Sequence, residues 1–350
     1  MDTKKKITFS IISLILILTL SEGVLRILFM NRSFLDILVD NHSSYRRLGW
    51  IYHHSKPGAM MMSPFHKVDY TLGWKYKENL KDFEYLYVPD IYLTTNQQGY
   101  RNFFDFSVND EKPIFMLGDS FTFGEEVSDK ETYTYLLSKK FSDKKFYNFG
   151  INGYGYDQMF LTLERYIGIY KPEMVILSFN FTDLDRAMLS FFEYFKPYYT
   201  LYDNELILHT DHILNEQDTL DQEKYNLKLS EFLTILYTKL FPRHELYKKT
   251  KILLNEKIIE KMVKIIEQHN SKLVLFYLPI AKEPNNLSDE LMPYEKLMFD
   301  YCKKFHLECY STRDEFKKYV KDSGKKFKEK GHWRQEGHKA VFRSMAKIIK

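Results

Sequence analysis

The sequence predicts an α/β fold, a parallel sheet with helices on both faces. Three observations carry this. Short apolar runs that read as buried strands recur at Ile114–Leu117, Met174–Phe179 and Lys272–Leu278. Stretches of helical character separate them. Turn-forming residues close them, Gly118 after the first run and Pro279 after the last.

The elements follow in chain order. Lys4, Lys5 and Lys6 precede the uncharged run from Ile7 to Leu20; Glu22 interrupts, and apolar residues resume to Met30. A membrane span needs about 20 apolar residues, so a cleaved signal peptide is the rival reading. No Ala-x-Ala cleavage site follows Leu20, and the apolar pattern continues. Residues 1–30 therefore read as an uncleaved, single-pass signal anchor. Its lysines belong on the cytoplasmic side and the rest of the chain outside, periplasmic or at the cell surface. Residues 31–112 read as loops and short strands wrapping the core, with turn signals at Asp69–Trp74 and Thr95–Arg101.

From 113 to 350 the α/β pattern holds. After the Ile114–Leu117 strand, Ser128–Glu131 is a capping box, and a helix continues over Tyr133–Phe141. A short strand over Phe146–Phe149 ends at Gly150. A helix over Gln158–Tyr170 stops before Lys171-Pro172. Beyond the Met174–Phe179 strand, residues from about 190 to 255 do not fit one β-α unit and read as an insertion. It holds an aromatic run (Phe191–Tyr202), an acidic stretch (Asp218–Glu223) and a helix (Ser230–Leu240). The Lys272–Leu278 strand, a helix over Leu291–Phe305, a strand over Leu307–Tyr310 and a closing helix over Glu336–Ile349 complete the chain.

Composition narrows the function. A chain of 350 residues with 44% hydrophobic and 28% charged residues is globular with a real core. The net charge of +4 is too small to argue for a nucleic-acid partner. Aromatic content of 17% reads more readily as a compositional bias than as a carbohydrate-facing cleft. Cys302 and Cys309 either pair or are buried as two small hydrophobes. With no His-x-x-x-His cluster, no zinc site is expected.

The chemistry centres on Gly118-Asp119-Ser120. Ser120 follows a buried strand directly, and open α/β sheets place ligands at the carboxyl ends of their strands. A serine there becomes a nucleophile when a histidine reaches it. The candidate is His332, in Gly331-His332-Trp333, with Glu329 three residues earlier. No Gly-x-Ser-x-Gly elbow surrounds Ser120, which argues against an α/β-hydrolase.

These residues resemble the SGNH/GDSL hydrolases. Gly118-Asp119-Ser120, Gly153 within Asn148–Gly155, the Asn180/Thr182-Asp183 segment and Glu329-x-x-His332 fall in the order of that family's four blocks. Leu72-Gly73-Trp74 and Thr95-Asn96-x-x-Gly99-Tyr100-Arg101 are similar to the preamble of its membrane-anchored envelope members. The resemblance implies a three-layer α/β/α, flavodoxin-like domain that needs neither metal nor organic cofactor. It implies Ser120 as nucleophile and oxyanion donor, Gly153 as second donor, and His332 as base. Two positions depart from the pattern. The family's donor asparagine corresponds to Thr182 when the segment is aligned on Asp183, and to Asn180 when aligned on the strand end. Two apart in an extended segment, both would face the site. Glu329 stands where aspartate is usual; it either orients His332 or is a solvated charge in a lysine-rich run. The expected activity is cleavage of an acyl ester, on a small molecule or an envelope polysaccharide. O-acyl transfer to a sugar, and a catalytically degenerate glycan-binding module, are the alternatives.

Overall fold

The computed structural model describes residues 2–38, 43–56, 63–85, 88–241 and 244–349. Helix α1 (Thr3–Phe29) is exposed over most of its length. Among the described residues it is the one helix long and apolar enough to cross a membrane. Helices α2 (Arg32–Ile37) and α3 (Ser43–His54) follow; neither was expected from sequence. Strands β1 (His66–Asp69) and β2 (Gly73–Tyr76) form an antiparallel hairpin, and β3 (Phe83–Glu84) pairs with β4 (Tyr92–Leu93). These are the short strands the sequence predicts before residue 113.

The central domain runs β5 (Ile114–Leu117), α4 (Ser120–Phe123), α5 (Tyr133–Lys140), β6 (Phe146–Asn148), α6 (Tyr156–Tyr170), β7 (Met174–Phe179) and α7 (Phe181–Arg186). A hairpin of β8 (Tyr198–Tyr202) and β9 (Glu205–His209) then leads to α8 (Glu216–Glu223) and α9 (Lys228–Leu240). The domain resumes with α10 (His244–Gln268), β10 (Lys272–Tyr277), α11 (Pro293–Phe305), β11 (Glu308–Ser311), α12 (Arg313–Ser323) and α13 (Gln335–Met345). Five strands make one sheet in the order β11-β10-β7-β5-β6, every pair parallel. Counted within the sheet this is the flavodoxin-like order 2-1-3-4-5.

The strand runs look continuously apolar because both faces are covered. Phe115, Leu117, Val175, Leu177, Leu273 and Leu275 face one core, shared with α6, α10 and α11. Their alternates Ile114, Met116, Ile176, Val274 and Phe276 face the other, with Leu137 of α5, Phe316 of α12 and Val341 of α13. The Ser128–Glu131 box is present, but it opens a single 3-10 turn; Thr132 caps α5 by accepting from the Tyr135 N–H. The long helix α10 begins at His244, inside the stretch read as insertion, and packs on α6 and the sheet. Cys302 of α11 and Cys309 of β11 form a disulfide with Cα atoms 6.2 Å apart, within the normal range.

Several polar contacts join the insertion to the rest, two of them through buried or capping groups. Glu22, the charge that interrupts the apolar amino-terminal run, accepts from the Lys228 and Leu229 backbone N–H groups at 3.1 and 2.9 Å, so it caps α9, and it also pairs with Arg26. Buried Lys196 pairs with buried Asp157 of α6, and its ammonium also meets the Leu189 and Pro197 carbonyls.

Candidate active site

Strand β5 delivers the chain to the carboxyl edge of the sheet, between β6 and β7. The turn there is cramped. A Cβ on Gly118 would lie 1.9 Å from Thr122 Oγ1, so only glycine fits. Asp119 caps the one-turn helix α4, accepting from the Phe121 N–H at 3.0 Å. Ser120 therefore stands at the first position of that helix, 2% exposed. Its backbone N–H donates to no described residue.

His332 arrives from the segment before α13. Its Nε2 lies 2.7 Å from Ser120 Oγ. The segment is held by its neighbour. Buried Trp333 donates its indole N–H to the Pro279 carbonyl at 3.0 Å and packs against Phe121, whose ring also lies 4.5 Å from the His332 ring. His338 is structural: it is buried, accepts from the Tyr133 N–H, and burial holds its pKa well below the usual histidine value.

The sequence-expected partner of His332 is elsewhere. Glu329 is exposed, and no hydrogen bond or ion pair joins it to His332. Buried Phe327 explains this. Two hydrogen bonds with Asn285, at 2.7 and 2.8 Å, pin it inward, and Glu329 two residues on is left in solvent. Glu126 holds the place instead. Its Oε1 is 3.8 Å from His332 Nδ1 and accepts from the His332 N–H at 3.3 Å, while Lys328 reaches Oε2 at 2.6 Å. Burial alone would raise the Glu126 pKa, but the bonds from His332 and Lys328 outweigh it and bring the carboxyl down to about 2. Glu126 also sits at φ 63°, a left-handed conformation held by the surrounding contacts. A second carboxylate, Glu125, lies 3.6 Å from His332 Nε2 and is gripped by Tyr85 Oη and Asn152 Nδ2, both at 2.8 Å. With Nε2 facing the serine and Nδ1 facing Glu126, the assigned tautomer carries its proton on Nδ1.

Gly153 has φ 77°, and a Cβ there would lie 2.8 Å from Phe192 Cε1. Its N–H, like that of Ser120, donates to no described residue. Asn180 and Thr182 do not lie in an extended segment. Asn180 is the cap of α7: its Oδ1 accepts from the Thr182 N–H and hydroxyl at 3.0 and 2.6 Å, and its Nδ2 donates to Asp183 at 2.9 Å. The two residues bind each other, and their period-2 placement does not apply once the helix begins.

Beneath the serine, Arg186 donates to both Asp119 (2.7 Å) and Asp183 (2.8 Å), tying α4 to α7. Burial, and then the neighbouring Asp119 charge, push Asp183 well above the usual carboxylate range. Glu125, Glu126, Tyr85, Asn152 and Arg186 are all absent from the sequence-based site. The one signal available was the Glu125-Glu126 pair directly after Gly124, five and six residues past Ser120.

No family model matches this sequence, and no curated protein matches it. Solved structures with a similar fold include a lipolytic protein of the G-D-S-L family from Desulfitobacterium hafniense: 13% identity, 68% of this chain, 100% of that one, TM-score 0.38. An esterase from Pseudoalteromonas matches at 12% identity over 68% of this chain and 98% of its own, TM-score 0.37. An acetyl-xylooligosaccharide esterase from a Geobacillus matches at 12% identity over 69% of this chain and 94% of its own, TM-score 0.40. Likeness at this level carries no functional argument.

Proposed function

We propose that this chain is a serine esterase of the SGNH/GDSL type. It would be anchored by α1, with its catalytic domain outside the cytoplasm, and would act on acyl esters of a carbohydrate. The single observation that carries the reading is the 2.7 Å contact between Ser120 Oγ and His332 Nε2. The N–H groups of Ser120 and Gly153, which donate to no described residue, support it.

His332 Nε2 takes the hydroxyl proton as Ser120 Oγ attacks the ester carbonyl carbon. Charge develops on the carbonyl oxygen, and the Ser120 and Gly153 N–H groups are the donors for it. Glu126 orients the ring and stabilises the imidazolium. Collapse breaks the C–O bond; the alcohol leaves with the proton from His332, and the acyl group stays on Ser120. Water then attacks the acyl-enzyme with His332 again as base, releasing the acid and restoring the serine.

The test is labelling of the full chain in detergent with a fluorophosphonate, together with hydrolysis of 4-nitrophenyl acetate. Ser120→Ala should abolish labelling, and Ser120→Ala and His332→Ala should each lower kcat at least 10³-fold, with losses that do not add. Normal labelling of the Ser120→Ala variant would end the assignment. A carbohydrate acceptor that diverts product from free acid to a new ester would mark transfer rather than hydrolysis.

A further inference from the structure

Adjacent arginines on α3 have opposite surroundings. Arg47 is partly buried and pairs with Glu223 of α8 and Glu231 of α9. Arg46 makes no hydrogen bond or ion pair with any described residue, and its Nε is buried without a partner. Its guanidinium instead stacks on Phe192, 4.4 Å from the ring centroid. Arg186 approaches the same ring at 5.2 Å, but its charge is taken up by Asp119 and Asp183. Phe192 is the ring against Gly153. A guanidinium with no partner among the described residues thus lies one aromatic ring away from Gly153, whose N–H donates to none of them either.

The placement is built, not incidental. The Arg47 pairs fix α3 on one side. On the other, the Ser190 N–H donates to Ser43 Oγ at 3.0 Å and Trp50 packs edge-on against Phe191. The same short segment, 190–192, therefore holds α3 and presents Phe192. Burial and the like charge of Arg186 both disfavour an uncompensated cation here, and they lower the Arg46 pKa. The opposing charges that act on Arg46 are Glu193, which is exposed, and Asp185, and neither forms an ion pair with it. Glu193 also acts on Arg186 and on Glu125, and Glu125 lies 3.6 Å from His332 Nε2.

We infer that Arg46 is the anion-recognising residue of this site, and that the ester it cleaves belongs to an acidic carbohydrate carrying a carboxylate or phosphate beside the scissile bond. With Nε buried, the two terminal Nη groups of Arg46 remain, and that pair matches either oxyanion group bidentately. This deepens the esterase reading and rests on it.

The full chain in detergent tests it. Three acetyl esters are compared: acetylated oligogalacturonate, acetylated glycerol phosphate and neutral acetylated xylo-oligosaccharide. The wild type should prefer one of the two anionic esters, and which one identifies the anion. Arg46→Gln should lower kcat/KM for the preferred ester ten- to hundredfold, mostly through KM, with a loss at least fivefold smaller on the neutral ester. Arg46→Lys should recover part of it, which excludes a merely unfolded variant. Equal losses on charged and neutral esters, or no loss, would overturn the inference. Calorimetry with deacetylated oligogalacturonate and with glycerol phosphate separates the two readings. Arg46-dependent binding by a chain that cleaves no ester would keep the anion site and sink the esterase. Absence of binding to either anion would sink the anion site even in an active enzyme.

Discussion

Replacing Glu126 by glutamine distinguishes the tertiary partner of His332 from the one its sequence spacing suggests. The carboxylate sits 3.8 Å from Nδ1. At an effective dielectric of 20, a unit pair at that distance is worth about 4 kcal/mol once the imidazole is charged. The histidine is 18% exposed, and a neutral amide keeps part of the dipolar attraction, so about 2–3 kcal/mol should be lost from the transition state. At about 1.4 kcal/mol per decade this is roughly a hundredfold fall in kcat, with KM little changed. Glu329→Gln should stay within twofold. Lys328→Ala controls for loosening of the loop, since Glu126 also holds Lys328 at 2.6 Å. The assay is steady-state hydrolysis of 4-nitrophenyl acetate by all three variants, with circular dichroism confirming the fold. A large loss in Glu329→Gln with near-normal activity in Glu126→Gln would refute the reasoning and restore the sequence-based assignment.

Acid titration offers a second check on Glu126. Its pKa is depressed from 4.5 to about 2 in the folded chain, so its contribution to stability is full above pH 4.5 and is lost as pH falls towards 2. Thermal melts should show a steeper decline across that window in wild type than in Glu126→Gln, and parallel declines would contradict it. Asn180→Ala should reduce stability by about 1–2 kcal/mol through loss of the α7 cap, whereas Thr182→Val, which keeps the backbone donor, should cost less; urea unfolding reads the order, and the reverse order would show that the cap is not the main role. Asn180→Ala should also release Asp183, so its turnover should fall more than that of Thr182→Val, with equal turnover counting against a link between α7 and the nucleophile.

What was legible in the sequence was whatever is local. The strand at Ile114–Leu117 announces itself because burial on both faces removes the polar alternation, and Ser120 follows because a cramped glycine turn leaves the serine at the strand end. His332 was legible as a histidine just before the closing helix, though only a 212-residue closure brings it to Ser120. Glu126 was hidden for the same reason. It meets His332 across 206 residues, and nothing in either neighbourhood encodes that. Glu329 misled because three-residue spacing ignores which way the chain faces, and Phe327 decides that. Asn180 and Thr182 were misplaced by assuming extended backbone where an asparagine cap had already started a helix. Arg46 carries no sequence signal at all; its significance lies in what does not surround it.

The Glu22 cap gives the amino-terminal helix a meaning beyond attachment. A flexible tether would let a catalytic head tumble and sample a hemisphere of solvent. Here α1 is bolted to α9, and Phe29, Leu35, Leu48 and Ile235 weld α1, α2, α3 and α9 into one block. That block carries α3, and with it Arg46, against Phe192 beside Gly153. If α1 stands in a bilayer, the candidate site is held at one height and tilt above it, like a tool on a fixed arm. An esterase so mounted would work as a ruler, trimming esters in a thin slab parallel to the membrane, with lateral diffusion rather than rotation bringing it to fresh substrate.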